Sequence, residues 1–272
     1  MPKKILIIIL IVVAAIGGFF LLKGRSKAPE PNKKITEAVN LVQVSDRPYV
    51  TLSPASGKHP AGTEVEITIH NTTLGSTEAD YELEYQAGSL LQGAFGSADF
   101  AIDPPPVSKT ILLGTCSAGG KCDYNKDVVG GTLLLRLEGG EQTFAVKGEW
   151  TYQLMSEREG EFSSRDSKFR VDIGTSGLPS SAYVIVMETM GLPEEVEGEI
   201  LAGPYHIAAA SKPSFKSAEL TVRLSEPTES AQLLGWTGSK WEEIDSDLAE
   251  KTLTAQIESF TTFVIVSSQL AE

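Results

Sequence analysis

Apolar and polar residues alternate in short runs along most of this chain. Residues 64–70 read Glu-Val-Glu-Ile-Thr-Ile-His, so Val65, Ile67 and Ile69 share one side of an extended strand. The same pattern returns at residues 81–85, which read Tyr-Glu-Leu-Glu-Tyr. Alternation with a period of two gives a strand one buried face and one face in water. The sequence therefore predicts an all-β fold.

Short turns rich in glycine and asparagine separate these strands, and their spacing is typical of β-sandwiches. Residues 133–137 and 142–147 flank a Glu-Gly-Gly-Glu turn and form the clearest predicted hairpin. A charged stretch divides the strands into two series. We expect one sandwich at 47–155, an interdomain linker at 156–164 and a second sandwich at 165–272.

Residues 5–22 form an apolar stretch without a single charge. A helix of this length spans roughly 27 Å, close to the hydrocarbon thickness of a bilayer. A cleavable signal peptide is the alternative, but the stretch is longer than the apolar region of such peptides and lacks an Ala-x-Ala site. We predict an uncleaved signal anchor, a transmembrane helix with basic flanks, at 1–27. A linker containing Pro and Lys follows at 28–46.

The charge of the chain is unevenly distributed. The chain has 23 basic and 36 acidic residues, for a net charge of −13. Residues 1–34 hold seven of the basic residues and one of the acidic ones, so the remainder carries −19. A domain with this charge repels nucleic acid and anionic lipid, and we expect no nucleic-acid partner.

Both cysteines, Cys116 and Cys122, lie in one Gly-rich stretch. They predict a disulfide that closes a short loop, and hence an oxidising compartment; two free thiols in a cytosolic loop are the alternative. Two ligands are too few for a metal site. Basic residues flank the apolar stretch about equally on both sides, so they do not set its orientation. The cysteines do, and we expect the C-terminal region outside the cytoplasm, at the cell surface or in the periplasm.

Asp123, Asn125 and Asp127 present oxygen atoms at alternate positions, as at the start of a calcium loop. Val128 stands where such a loop needs glycine, and Leu134 stands where it needs a bidentate glutamate. A polar loop held by the neighbouring cysteines is the alternative interpretation. Because the glycine and the glutamate are missing, we favour the polar loop, keep the three residues only as a calcium candidate, and expect no resident metal or cofactor.

Trp236 and Trp241 bracket a tight turn. An exposed pair of aromatic rings can stack on the rings of a sugar, which makes the turn a candidate glycan site. The interpretation that we favour is that both side chains belong to a hairpin and its core.

The sequence contains no recognisable catalytic constellation. His59, His70 and His206 are its only histidines, and they fall in a turn, on a polar strand face and in an apolar strand. A Gly-x-Ser-x-Gly elbow, a phosphate loop and a His-Glu-x-x-His motif do not occur. We expect no enzymatic activity, and a membrane-tethered enzyme is the least favoured alternative.

The second series contains an ordered set of cues. Residues 177–181 read Gly-Leu-Pro-Ser-Ser before an apolar strand, residues 203–207 read Gly-Pro-Tyr-His-Ile, and the turn between the two tryptophans precedes Phe-Thr-Thr-Phe at 260–263. Over residues 165–268 this order resembles the ZU-type β-sandwich of ankyrins and netrin receptors, in the form common on bacterial surface proteins. More loosely, residues 47–154 resemble immunoglobulin-like surface modules, mainly in their opening strand and turn.

The ZU-type resemblance raises the question of self-cleavage. Some relatives of that family cleave their own backbone at a His-Phe-Ser tripeptide, where the hydroxyl attacks the preceding carbonyl. The matching residues here are Ser259, Phe260 and Thr261, and the histidine is missing. Without an imidazole the hydroxyl of Thr261 is a poor nucleophile, so we expect the chain to remain intact.

These features predict a membrane-anchored, extracytoplasmic structural or interaction protein without catalytic activity. Its expected partners are the membrane, through residues 5–22, and another surface protein or a glycan. The alternative is an adhesion module that binds a glycan or calcium.

Overall fold

The computed structural model describes residues 38–55 and 57–268. Antiparallel strands dominate this range and helices are few, which confirms the predicted all-β fold. Within it, no helix combines the length and the apolar character needed to cross a membrane. The predicted anchor at residues 5–22 lies outside the described residues.

The strands fall into two halves of the chain. The first half begins with a 3-10 turn (Val44–Asp46) and contains β1 (Val50–Pro54), β2 (Glu64–Ile69), β3 (Glu78–Ala87), β4 (Leu90–Asp99), β5 (Val107–Leu112), β6 (Gly114–Cys116), β7 (Cys122–Tyr124), β8 (Val128–Glu138) and β9 (Phe144–Leu154). The second half begins with α1 (Met155–Arg158) and contains β10 (Glu161–Ser163), β11 (Phe169–Asp172), β12 (Tyr183–Glu188), β13 (Ile200–Ala209), β14 (Ala218–Arg223), β15 (Gln232–Trp236), β16 (Trp241–Ile244), β17 (Ser246–Ala249), β18 (Thr252–Ile257) and β19 (Thr262–Val266).

One antiparallel sheet of nine strands runs through both halves, in the order β16-β15-β19-β13-β12-β9-β8-β3-β4. The halves meet where β9 pairs with β12: Tyr152 lies opposite Ile185, and Trp150 lies opposite Met187. Backbone hydrogen bonds therefore join them. The predicted interdomain linker at 156–164 falls mostly on α1 and β10, and the predicted domain limits themselves stay a prediction.

Two smaller sheets cover different parts of the nine-stranded sheet. The first contains β1, β2 and β5, and the second contains β10, β11, β14, β18 and β17. The core under the three-stranded sheet includes Leu133 and Trp150, and the core under the five-stranded sheet includes Phe169, Leu220 and Phe263. We call these the first core and the second core.

Strand β12 belongs to both cores. Ile185 and Met187 pack in the first core, Val184 and Val186 pack in the second, and all four are fully buried. Successive side chains of a strand point to opposite faces, so the two cores lie on opposite faces of β12. A strand buried on both faces has a continuous apolar sequence, as Val-Ile-Val-Met is here.

The structure confirms the clearest local predictions. Val65, Ile67 and Ile69 of β2 are all buried. The predicted hairpin is β8–β9, whose pairing begins with Leu137 opposite Phe144.

Candidate functional site

Cys116 and Cys122 form a disulfide, as predicted. They lie opposite each other where β6 pairs with β7. A cross-link over so short a loop stabilises the fold by about 2 kcal/mol. With His59 they make the one group of three metal-type side chains found among the described residues. Sulfur atoms joined in a disulfide are not thiolate ligands, so this group is not a metal site.

A cleft of about 390 Å³ lies next to this two-stranded sheet. Its walls come from three separated parts of the chain. These are residues 61–63 before β2, residues 123–128 from the end of β7 to the start of β8, and two tyrosines, one on β9 and one on β12. We call it the tyrosine cleft, after Tyr124, Tyr152 and Tyr183.

The hydroxyl of Tyr152 is the most unusual group in the tyrosine cleft. It is buried and has no hydrogen-bond partner, and the whole residue is 3% exposed. Its ring stacks on Tyr183 with 4.7 Å between the ring centroids. Burial, and to a lesser degree Tyr183, raise the pKa of Tyr152, so the phenol is neutral at physiological pH. A buried hydroxyl without a partner costs about 1–3 kcal/mol.

The tyrosine cleft brings the three calcium candidates together, since Asp123, Asn125 and Asp127 all line it. The side-chain amide of Asn125 donates a hydrogen bond to the hydroxyl of Tyr85 at 2.9 Å. The two carboxylate residues, Asp123 and Asp127, are exposed. Calcium takes six to eight oxygen ligands, so these residues supply part of a coordination shell.

Trp236 and Trp241 face each other across the β15–β16 hairpin. Their rings meet edge to face, with 5.4 Å between centroids and 66° between planes. The indole N–H of Trp241 donates to the carbonyl of Glu194 at 3.0 Å, and both residues are partly buried. Two rings at this angle do not form one flat platform, and glycan stacking stays a prediction.

A second cleft, of about 200 Å³, lies in the second half and is lined by Asp166, Lys168, Glu188 and Tyr205 among others. Burial raises the pKa of Glu188 to about 7, helped by the negative charges of Asp166 and Glu149. Asp166 accepts hydrogen bonds from the Ser164 hydroxyl and from the backbone N–H of Lys168. Shifted carboxyls mark functional sites but also structural charge clusters.

Two of the three histidines belong to a polar cluster between β1 and the nine-stranded sheet. The hydroxyl of Thr262 bonds to His206 Nδ1 at 2.8 Å and to the hydroxyl of Tyr49 at 2.6 Å. His70 stacks on Tyr49 and bonds to Thr51. Burial, and then the nearby His70, lower the pKa of His206 to about 3. Thr262 is fully buried and lines neither of the two clefts described here.

The hydroxyl of Thr261 is engaged away from the backbone bond that self-cleavage would break. It donates to the carbonyl of Trp236, and the Thr261 carbonyl accepts from the N–H of Ile207. The intact chain stays a prediction that this geometry favours.

Strand β4 carries exposed apolar side chains that its sequence pattern does not reveal. Leu90, Leu91 and Phe95 are 62%, 71% and 83% exposed on the last strand of the nine-stranded sheet. Gly93 and Gly96 interrupt the alternation there, which hides the strand from a search for period-two patterns. The available signal was a run of nine uncharged residues, 90–98, in an acidic chain.

Comparison of the chain with models of protein families, with curated proteins and with solved structures gave no match. The ZU-type and immunoglobulin-like resemblances therefore stay predictions.

Proposed function

We propose that this chain is a membrane-anchored, extracytoplasmic structural and interaction protein without catalytic activity, built from an immunoglobulin-like and a ZU-type sandwich. The observation that carries the proposal is the nine-stranded sheet, which continues from one half to the other and buries both faces of β12. Such a joint holds two surfaces at a fixed separation, which is what a spacer or presenting module requires.

Three features support the location. The disulfide between Cys116 and Cys122 favours an oxidising compartment. The acidic remainder of the chain, at −19 after residue 34, suits a soluble exterior domain. The uncharged stretch at 5–22 supplies the attachment.

Thiol labelling tests the location. In the full chain, Ser239→Cys places one free thiol in the exposed β15–β16 turn. We expect a membrane-impermeant maleimide to label it on intact bacterial spheroplasts. The matched variant Pro2→Cys, on the other side of the predicted anchor, should be labelled only after lysis. Labelling in the reverse order would contradict the proposed topology.

A distance measurement tests the spacer. Ile102→Cys lies in the first half, is 82% exposed and sits outside every strand. With Ser239→Cys it allows two spin labels on a chain whose own cysteines are paired. With the labelled chain diluted in an excess of unlabelled chain, so that only distances within one chain are measured, we expect a single narrow distance distribution. A broad or two-peaked distribution would mean that the halves move relative to each other.

The second candidate function is ligand binding in the tyrosine cleft, by calcium or a glycan. The specific observation in its favour is the unpartnered, buried hydroxyl of Tyr152 beside Asp123 and Asp127. Millimolar calcium or a neutral oligosaccharide should raise the thermal midpoint by a few degrees. Asp127→Asn should abolish the calcium effect, and the exposed control Asp247→Asn should keep it. If neither probe changes the midpoint, the cleft is not a site for these ligands.

A further inference from the structure

Strand β4 is an open edge of the nine-stranded sheet. It is ten residues long and pairs along its whole length with β3, without a shift in register. Its other side has no strand among the described residues. A long edge strand with exposed apolar side chains is a template for pairing with another strand.

The other ends of the two large sheets lack these properties. At the far end of the nine-stranded sheet, β16 has four residues and carries Glu242, which is paired with Lys240. The edges of the five-stranded sheet are β17, with four residues including Asp247, and β10, with three. Short and charged edges resist strand addition, so β4 is the exception.

The hairpin turn fixes which backbone groups of β4 point outward. Gly88 and Ser89 connect β3 and β4, and Gly88 has a φ of 56°. In a two-residue hairpin the flanking pair, here Ala87 and Leu90, is hydrogen-bonded, and bonded and non-bonded pairs then alternate. The N–H and C=O groups that point outward belong to every second residue, namely Leu91, Gly93, Phe95 and Ser97, and the carbonyl of Asp99 beyond them accepts from the N–H groups of Ile102 and Asp103.

We propose that β4 pairs in antiparallel fashion with β4 of a second copy of this chain, which joins two nine-stranded sheets across a two-fold axis. Charge permits this occupant, and the complementary side chains of β4 select it. Two chains of −13 each repel, and residues 90–98 form an uncharged strip where two copies can meet without opposing like charges.

The side chains of β4 complement each other in one register. With the two-fold axis at Ala94, residues 90–98 overlap fully and Phe95 lies opposite Gly93 of the second copy. A side chain at Gly93 would meet only the carbonyl oxygen of Leu83, at 3.9 Å, so the space above this glycine is open to an aromatic ring. The free groups of β4 then form about eight backbone hydrogen bonds.

Pairing through β4 uses up this edge in both copies. Both copies use the same strand, and each sheet then ends in the short, charged β16. An isologous contact of this kind gives a dimer and no longer assembly. The inference does not depend on the membrane anchor or on the compartment.

Cysteine cross-linking of the full chain tests the register. In a non-hydrogen-bonded pair the Cα atoms are about 4.5 Å apart, which suits a disulfide. Ala94→Cys should therefore give a band of twice the chain mass on a non-reducing gel. Ser97→Cys on the same strand should not, because the two copies of residue 97 lie about six residues apart along the strands. Equal cross-linking of both variants, or of neither, would overturn the proposal.

Light scattering of the purified full chain in detergent, corrected for bound detergent, tests the dimer itself. Phe95→Lys should raise the dissociation constant by about tenfold or more, since it places two like charges at the contact. Ile102→Lys, an equally exposed apolar residue outside β4, should leave it unchanged. A monomer at tens of micromolar, larger oligomers, or a dimer that ignores Phe95→Lys would each overturn the proposal. These results leave the thiol-labelling test of location unaffected.

Discussion

The two halves of the molecule share one sheet but end it in opposite ways. The second half ends in β16, a four-residue strand with Glu242 and Glu243 in its centre. The first half ends in β4, a ten-residue strand whose charge is confined to Asp99. The first half also holds the disulfide and every wall of the tyrosine cleft except Tyr183 of β12. We infer that the second half is a closed scaffold and that the first half is the end that contacts other molecules.

The cores of the two halves are not independent, despite this difference. Each contains two side chains of β12, and β12 is hydrogen-bonded to β9 on one side and to β13 on the other. A change in one core therefore disturbs a strand that the other core needs. The following predictions test this coupling, from the largest expected effect to the smallest.

The largest effect should come from emptying either core. Trp150 and Phe169 are fully buried, one in each core, and replacing either with Ala should lower the free energy of unfolding by about 3–5 kcal/mol. Urea unfolding followed by circular dichroism measures the loss. The exposed control Ile102→Ala, outside β4, should stay within about 0.5 kcal/mol. If the first half alone stayed folded in Phe169→Ala, the two cores would not be coupled.

Neighbouring residues of β12 test the coupling within one strand. Ile185→Ala removes volume from the first core and Val186→Ala removes it from the second. Each should cost about 2 kcal/mol or more, and each should shift a single unfolding transition. If one variant produced two transitions and the other did not, the cores would be separable.

Removing the disulfide should have a smaller effect. The double variant Cys116→Ala, Cys122→Ala loses about 2 kcal/mol of constraint on the unfolded chain. For a folded unit of this size that corresponds to a decrease in the thermal midpoint of about 4–8 °C. Calorimetry measures it, and an unchanged midpoint would mean that the loop does not contribute to global stability.

The smallest effects should be two opposite dependences on pH. Folding lowers the pKa of His206 from 6.5 to about 3, so the unfolded chain binds more protons and stability falls as the pH decreases through that window. Folding raises the pKa of Glu188 from 4.5 to about 7, so its contribution is lost as the pH increases through that window. The urea midpoints of His206→Gln and Glu188→Gln can each be compared with that of the parent chain from pH 4 to 8. The difference for His206→Gln should grow as the pH decreases, and the difference for Glu188→Gln should grow as the pH increases. Parallel profiles would contradict both assignments.

Local features of this fold could be predicted from the sequence, because they depend on nearby residues. The alternation in β2 determines which of its side chains are buried, and the turn sequence determines where β8 and β9 begin to pair. The two cysteines are close enough in the chain to pair wherever the rest of the sequence goes.

Features that depend on distant residues could not be predicted. The pairing of β9 with β12 and the walls of the tyrosine cleft join segments that no local pattern connects. The start of β13 could not be predicted, because Pro204 interrupts its apolar run. The register of β13 with β19 shifts around this proline, which cannot donate a backbone hydrogen bond to the neighbouring strand. Glu64 looks solvent-facing by alternation but is buried next to His59.

Hydrogen exchange of the parent chain tests the central claim, that one sheet makes the two halves a single cooperative unit. Peptides from β8, in the first core, and from β14, in the second, can be followed by mass spectrometry as urea increases. The account predicts that both exchange with the same free energy of opening and the same urea dependence. If β14 became exchangeable at lower urea while β8 stayed protected, the halves would unfold separately and the claim would be wrong.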